Sequence, residues 1–426
     1  MATVLLASVP LAGHVQPLVR VCAELCARGH RVYWYTGSAY AATVRRAGAV
    51  FVPYRRARDF DDRSLAKHFP GRETLSGLAQ LKFDLNRVFL DQAPGQLTDL
   101  EAIAQSEAPA LVIADPLMLG ALLLKERSGL PLMMINVVAL PMRSRDVAPF
   151  GLGLPPSDGW FAPVQNRMLY GAQRLLFHDV QRHWRRVRSG AGLATHRSLF
   201  DAALDATSFV QPTVPGFEYP RSDLPAHVEL VGALHPDFPD HDEDALAGLG
   251  RPLVHVTQGT VSNVEPHLIA PALRGLAREP LTVLVATGGR SARELGLEPV
   301  PHNARVVPFV SYRALLPRTD VMVTNGGYGG VQLALAHGVP LVVWGTSEDK
   351  PEVAARVAWS GAGIRLGRWR APRAAEVRDA VREVLHVPHY RERARALAAE
   401  YARMDAPRRV ADLCESLLRC AARRKA

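Results

Sequence analysis

Cysteine is scarce in this chain: four in 426 residues, at positions 22, 26, 414 and 420. So few cannot brace a chain of this length as a disulfide-framed secreted protein, and the sequence predicts a reducing, cytoplasmic setting. Cys22 and Cys26 stand four apart in a helical pattern without a Cys-x-x-Cys knuckle, which reads as core thiols and not as a metal site. Lysine is also rare, with five among 51 basic residues, so the net charge of +10 is an arginine surplus. The densest basic cluster, Gln181 to Arg188, has the spacing of a solvated helix face, and no recognition motif accompanies it. Nucleic acid is therefore not an expected partner. Long apolar runs are missing too: 110–124 and 130–142 are broken by Asp115 and Asn136 and fall short of the ~18–20 residues a membrane helix needs. The opening MATVLLASVPLAGH has no basic start and reads as a first strand, not a leader.

What is present is an ordinary globular composition, 48% apolar and 22% charged, at a length that predicts two large domains. Residues 3–9 form an apolar run, Pro17 suits a helix start and Gly29 a helix stop, and strands are predicted at 31–36 and 49–54. That alternation opens a parallel, doubly wound α/β sheet, which resumes at 111–115 and 132–137. Residues 55–108 read as helical. A stretch rich in proline and glycine, Leu140 to Pro163, interrupts the pattern and reads as a substrate-meeting loop. Six prolines fall between 212 and 244, marking an interdomain linker at 216–250 between a first domain, 1–215, and a second, 251–408. A second alternating series then follows, with strands predicted at 252–258, 281–286, 304–308, 320–324, 339–344 and 362–366. The last residues, 409–426, form an amphipathic helix.

The sharpest local signal is Val321-Met-Val-Thr-Asn-Gly-Gly-Tyr-Gly-Gly-Val331, a buried-type strand running through glycines into a helix predicted at Gln332 to His337. Glycines there let backbone approach a ligand, and a helix N-terminus offers free N–H groups to an anion. It is neither the dinucleotide fingerprint, since Gln332 holds the third glycine position, nor a P-loop, since no Gly-Lys-Ser/Thr follows. Two Asp-x-Asp patterns, Asp59-Phe-Asp61 and Asp242-Glu-Asp244, do not closely follow a buried strand, and the second lies in the linker, where Asp at a helix start serves as a cap, so no metal is expected.

The segments around this turn, Phe309-Val-Ser-Tyr-Arg-Ala-Leu-Leu-Pro317 before it and Val339-Pro-Leu-Val-Val-Trp-Gly-Thr-Ser-Glu-Asp-Lys350 after it, carry a resemblance. With His14 and Asp115 they resemble the nucleotide-sugar signature of the GT-B glycosyltransferases that act on small lipophilic acceptors, and the resemblance covers essentially the whole chain. It implies two facing Rossmann-like domains and a C-terminal helix that returns to the first. It implies that Phe309 and Val310 meet the donor base, and that Gly259 and Thr260 form one phosphate loop. Asn325, Gly326, Gly327, Gly329 and Gly330 would form the other. Asp349 and Lys350 would face the donor sugar. The chain departs from the pattern at three places. Asn325 replaces a histidine, Leu333 stands at the usual ribose glutamate, leaving Gln332 for that task, and Lys350 replaces a glutamine.

The resemblance further implies His14 as the base that takes the acceptor's proton, with Asp115 orienting it, and inversion at the anomeric carbon without a metal. Taken alone, a histidine after a strand is usually just a satisfied polar residue, and Asp115 could serve only to cap the helix that follows Pro116. Phe83, Phe89, Met118, Phe150, Trp160 and Phe161 are candidates to line an acceptor pocket or to be core. The expected donor is UDP-glucose, with a dTDP-deoxysugar as the alternative. The expected acceptor is a hydroxyl of a lipophilic natural product such as a polyketide antibiotic. The nucleotide sugar is a co-substrate, no cofactor is expected, and the chain would act as a monomer or homodimer. A sugar-nucleotide epimerase and a non-catalytic nucleotide-sugar-binding module stay open; the first would turn over without an acceptor, the second not at all.

Overall fold

A computed structural model describes residues 1–425 apart from 158, 236–245, 260–265 and 368–369. Seven strands form the first sheet: β1 (Thr3–Ala7), β2 (Arg31–Thr36), β3 (Val50–Pro53), β4 (Leu111–Ala114), β5 (Leu132–Ile135), β6 (Ser208–Gln211) and β7 (Val228–Leu230), in the order β3-β2-β1-β4-β5-β6-β7. Six form the second: β8 (Leu253–Thr257), β9 (Thr282–Ala286), β10 (Ala304–Val307), β11 (Val321–Thr324), β12 (Leu341–Val343) and β13 (Gly363–Arg365), in the order β10-β9-β8-β11-β12-β13. Every pairing is parallel. This is the expected pair of Rossmann-like sheets.

The apolar strands follow from burial on both faces. In a strand successive side chains point to opposite sides. Leu5 and Ala7 accordingly join one core cluster with Tyr33, Tyr35, Val112 and Ala114, while Val4 and Leu6 join the opposite one with Val32, Trp34, Leu111 and Ile113. The second sheet repeats this: Val321 and Val323 face one cluster and Met322 the other.

The stretch read as a linker contributes β7, which pairs with β6 through Phe209–Val228 and Gln211–Leu230. Three residues bounded by Pro225 and Gly232 are too short to display alternation, so β7 is invisible to pattern reading. The C-terminal helix spans Ala406–Lys425. It leaves the second domain and packs Val410, Ala411 and Cys414 onto the first-domain cluster, where Arg28 also reaches Asp412 at 2.6 Å. Among the described residues no helix is long and apolar enough to cross a membrane.

Candidate active site

In each sheet the strand order reverses once, between β1 and β4 in the first and between β8 and β11 in the second. At such a point the connections diverge to opposite faces and leave a crevice beyond the carboxyl ends of the strands. Both groups of residues singled out in the sequence fall at these two places.

In the first, β1 and β4 end in register at Ala7 and Ala114. Asp115 follows β4 directly, and His14 lies in the first turn of the helix Ala12–Ala27 that follows β1. His14 Nδ1 donates to Asp115 Oδ1 at 2.9 Å. The Asp115 carboxylate is fully buried and also accepts the backbone N–H groups of Val9 at 2.8 Å and Leu117 at 2.9 Å. It is thus at once a turn cap and a clamp on the imidazole. With Nδ1 committed as donor, Nε2 is left to accept a proton, and it has no hydrogen-bond partner among the described residues.

In the second, two turns are stitched together by Asn325, which is buried. Its Nδ2 donates to the carbonyl of Gln258, and its Oδ1 accepts from the Gly327 N–H at 3.4 Å. Gly259 sits in the left-handed region at φ +77°, where a Cβ would stand 3.2 Å from Asn325 Nδ2. Gly327 caps the helix Tyr328–Ala336, which starts four residues earlier than expected. Gly329 and Gly330 therefore lie in its first turn, where backbone N–H groups have no intrahelical partner and favour an anion. Thr260 lies outside the described residues, as does Asp242-Glu-Asp244.

Phe309 is 45% exposed, with its ring edge against Gly289. Val310 beside it is buried in a small cluster with Leu253, Leu284 and Leu315. Beneath this platform His255 is fully buried, its Nδ1 3.1 Å from the Leu284 carbonyl and its Nε2 3.2 Å from the Tyr312 hydroxyl. Burial pulls its pKa down to about 4 and pushes the Tyr312 phenol up to about 12, so the pair is neutral. The phenol donates to Nε2, and Nδ1 donates to the carbonyl.

Asp349 caps the helix Lys350–Trp359. Burial raises its carboxyl to about 6; Lys350 and His14 oppose the rise and Glu348 reinforces it. Lys350 is buried and pairs with Glu348, which adopts φ +57°.

The remaining candidates disperse. Gln332, expected at the ribose, is buried and its Oε1 accepts from the Tyr401 hydroxyl at 3.0 Å, while Leu333 joins the core of its domain. Met118 and Phe89 are core residues of the first domain, and Phe83 packs against them. Phe150 packs on the cluster that joins second-domain residues to Ala139, Val214 and Phe217. Trp160 and Phe161 are exposed, edge to face at 5.5 Å. Asp59 accepts from the Ser38 N–H and Asp61 from that of Arg63, both as turn caps. Pattern reading missed Tyr328 and Glu352, which both reach across to the first domain. The signal for the second was a Glu–Arg pair four apart within an otherwise apolar helix face.

Three comparisons bear on the site. Residues 281–417 match the family model described as "Erythromycin biosynthesis protein CIII-like, C-terminal domain". The chain is 43% identical over 424 residues to the 4'-demethylrebeccamycin synthase of Lentzea aerocolonigenes, covering 98% of this chain and all of that one. It is 35% identical to UDP-glycosyltransferase 2 of Phaeomoniella chlamydospora, covering 97% and 95%. Among solved structures, the glycotransferase of kitacinnamycin shares the fold with a TM-score of 0.74 at 24% identity, covering 98% of both chains. The chain belongs to the GT-B glycosyltransferases of natural-product biosynthesis.

Proposed function

We propose that the protein moves a hexose from UDP-glucose to a hydroxyl of a lipophilic natural product, with inversion and without a metal. The observation that carries this is the His14–Asp115 pair at the first switch point, with Nδ1 committed to the carboxylate and Nε2 left to accept a proton. His14 Nε2 takes the acceptor's hydroxyl proton as its oxygen bonds to the anomeric carbon. The bond from that carbon to the phosphate oxygen breaks, and the electron pair leaves on the nucleoside diphosphate. That charge settles against the N–H groups of the first turn of Tyr328–Ala336, and Asp349 holds sugar hydroxyls. Phe309 supplies a ring face for the base. The first domain, 1–215 extended by β7, takes the acceptor, and residues 251–408 take the donor.

A relative named as a UDP-glycosyltransferase favours the uridine donor. A dTDP-deoxysugar is the second reading, favoured by solved glycosyltransferases of the same fold that are described as complexed with thymidine diphosphate. Mass spectrometry of the wild type and His14→Ala with UDP- and dTDP-sugars and a panel of polyketide acceptors tests the reading. A hexose mass gain on an acceptor, lost in the variant, is the expected result. Turnover of the donor with no acceptor present would instead indicate an epimerase.

A further inference from the structure

The segment 149–153 belongs to the first domain by sequence, yet its backbone is held by the second. Glu352 Oε1 accepts the N–H groups of Gly151 at 2.9 Å and Gly153 at 2.7 Å. From the other side Arg365 donates to the Gly153 carbonyl at 2.7 Å. Gly153 adopts φ +55° and approaches so closely that a Cβ there would stand 2.5 Å from the Pro351 carbonyl oxygen. Glu352 is itself fixed. Its Oε2 takes Arg356 at 2.9 Å, and Arg356 reaches on to Glu218 of the first-domain side at 2.7 Å. All three charged groups are at most 5% exposed. Buried charges in this arrangement are satisfied by one another and by backbone N–H groups, and such bonds are stronger than neutral ones.

Glu352 is on the first turn of the helix that Asp349 caps, and its own N–H bonds to the Asp349 carbonyl at 2.9 Å. We infer that Glu352 is a positioning residue that sets the acceptor loop at a fixed distance from the donor-sugar residues Asp349 and Lys350. The loop therefore travels with the donor domain when the cleft opens or closes. Phe150, in the same segment, packs on the cluster that second-domain residues such as Tyr328 and Val353 share with Ala139, Val214 and Phe217. The inference rests on the acceptor role proposed above for the stretch 140–163.

The test combines hydrogen exchange of the 149–153 segment with kinetics on the full chain in Glu352→Ala, Glu352→Gln and Arg365→Ala. The glutamine keeps a carbonyl that accepts both N–H groups, and in either Glu352 variant Arg356 retains Glu218. In Glu352→Ala the amides of Gly151 and Gly153 should exchange about tenfold faster or more, with protection largely restored in Glu352→Gln. Acceptor KM should rise about tenfold in Glu352→Ala, with donor KM within about twofold of wild type. Arg365→Ala should move acceptor KM the same way by less. Unchanged exchange in Glu352→Ala overturns the clamp, and faster exchange with an unchanged acceptor KM overturns the positioning role. Equal rises in both KM values would mark a general loss of structure and also overturn it. Should the wild type transfer no sugar at all, the proposed function falls while the exchange measurements still decide the clamp.

Discussion

The phenol oxygen of Tyr328 lies 2.7 Å from the side-chain amide nitrogen of Gln211, so the residue inside the glycine turn of one domain is tied to the end of β6 in the other. The hydroxyl donates onward to the Pro212 carbonyl at 2.9 Å. Gln211 in turn accepts from Asn136 at 2.6 Å and donates to the Val138 carbonyl at 3.0 Å. This buried chain crosses between the two domains. Tyr328→Phe keeps the ring and the backbone N–H of the cradle but leaves the Pro212 carbonyl and the Gln211 amide short of a partner. The expected cost is about 1–3 kcal/mol, read as a lower urea midpoint at unchanged slope. A midpoint equal to wild type would show that the chain of bonds carries no stability.

The two sheets were legible because burial on both faces writes itself as runs such as Thr3–Ala7 and Val321–Thr324, bounded by turn residues. The turn at Asn325 to Gly330 was legible from its glycines, one of which, Gly326, adopts φ +84°, a conformation other residues rarely take. What was not legible depends on partners distant in sequence. Glu352 is an ordinary helix residue until Gly151 and Gly153 arrive 199 or more positions away. Gln332 stood next to the expected ribose position, but Tyr401 of a later helix engages it. The residues proposed for the acceptor are of types that also build cores, and four of the six pack in one, Phe83, Phe89 and Met118 in the first domain and Phe150 on the cluster beside the second sheet.

Loss of the imidazole should remove the chemistry while sparing donor binding. His14→Ala is expected to lower kcat by about 10²–10⁴-fold with little change in donor KM, because His14 and the glycine turns lie on different sheets. Asp115→Asn should also lower kcat, since an amide can present its N–H to Nδ1 and leave the proton on Nε2, the wrong tautomer for a base. Steady-state kinetics with an acceptor that gains a hexose in the mass-spectrometric panel checks both. A His14→Ala enzyme as fast as wild type would remove histidine from the mechanism.

Asp349 makes the donor side pH-dependent. Its carboxyl is raised from 3.8 to about 6 by burial, so between those values the folded protein holds a proton that the unfolded chain releases. Stability from this group is therefore present at low pH and lost as pH rises toward 6. Binding runs the other way, because only the ionised carboxylate offers all its lone pairs to sugar hydroxyls. Donor KM should fall as pH rises through about 6, and Asp349→Asn should flatten that limb. A limb that survives in the asparagine variant belongs to another group.

His255 gives the opposite sign for stability. Its folded pKa is lowered from 6.5 to about 4 by burial, with the Leu284 carbonyl bond opposing. Below 6.5 the unfolded chain binds a proton that the folded protein refuses, so stability falls as pH drops and the loss is complete only below about 4. The gap corresponds to about 3 kcal/mol at its limit. His235, also lowered to about 4 by burial, adds a second contribution in the same window. Urea unfolding at pH 7, 5.5 and 4.5 should show a falling midpoint in the wild type. His255→Gln retains a donor for the Leu284 carbonyl and an acceptor for Tyr312 but cannot titrate, so it should be less stable at pH 7 and fall less steeply. The residual slope is then that of His235 and the exposed groups. If the glutamine variant falls as steeply as wild type, the acid sensitivity lies outside the His255–Tyr312 pair.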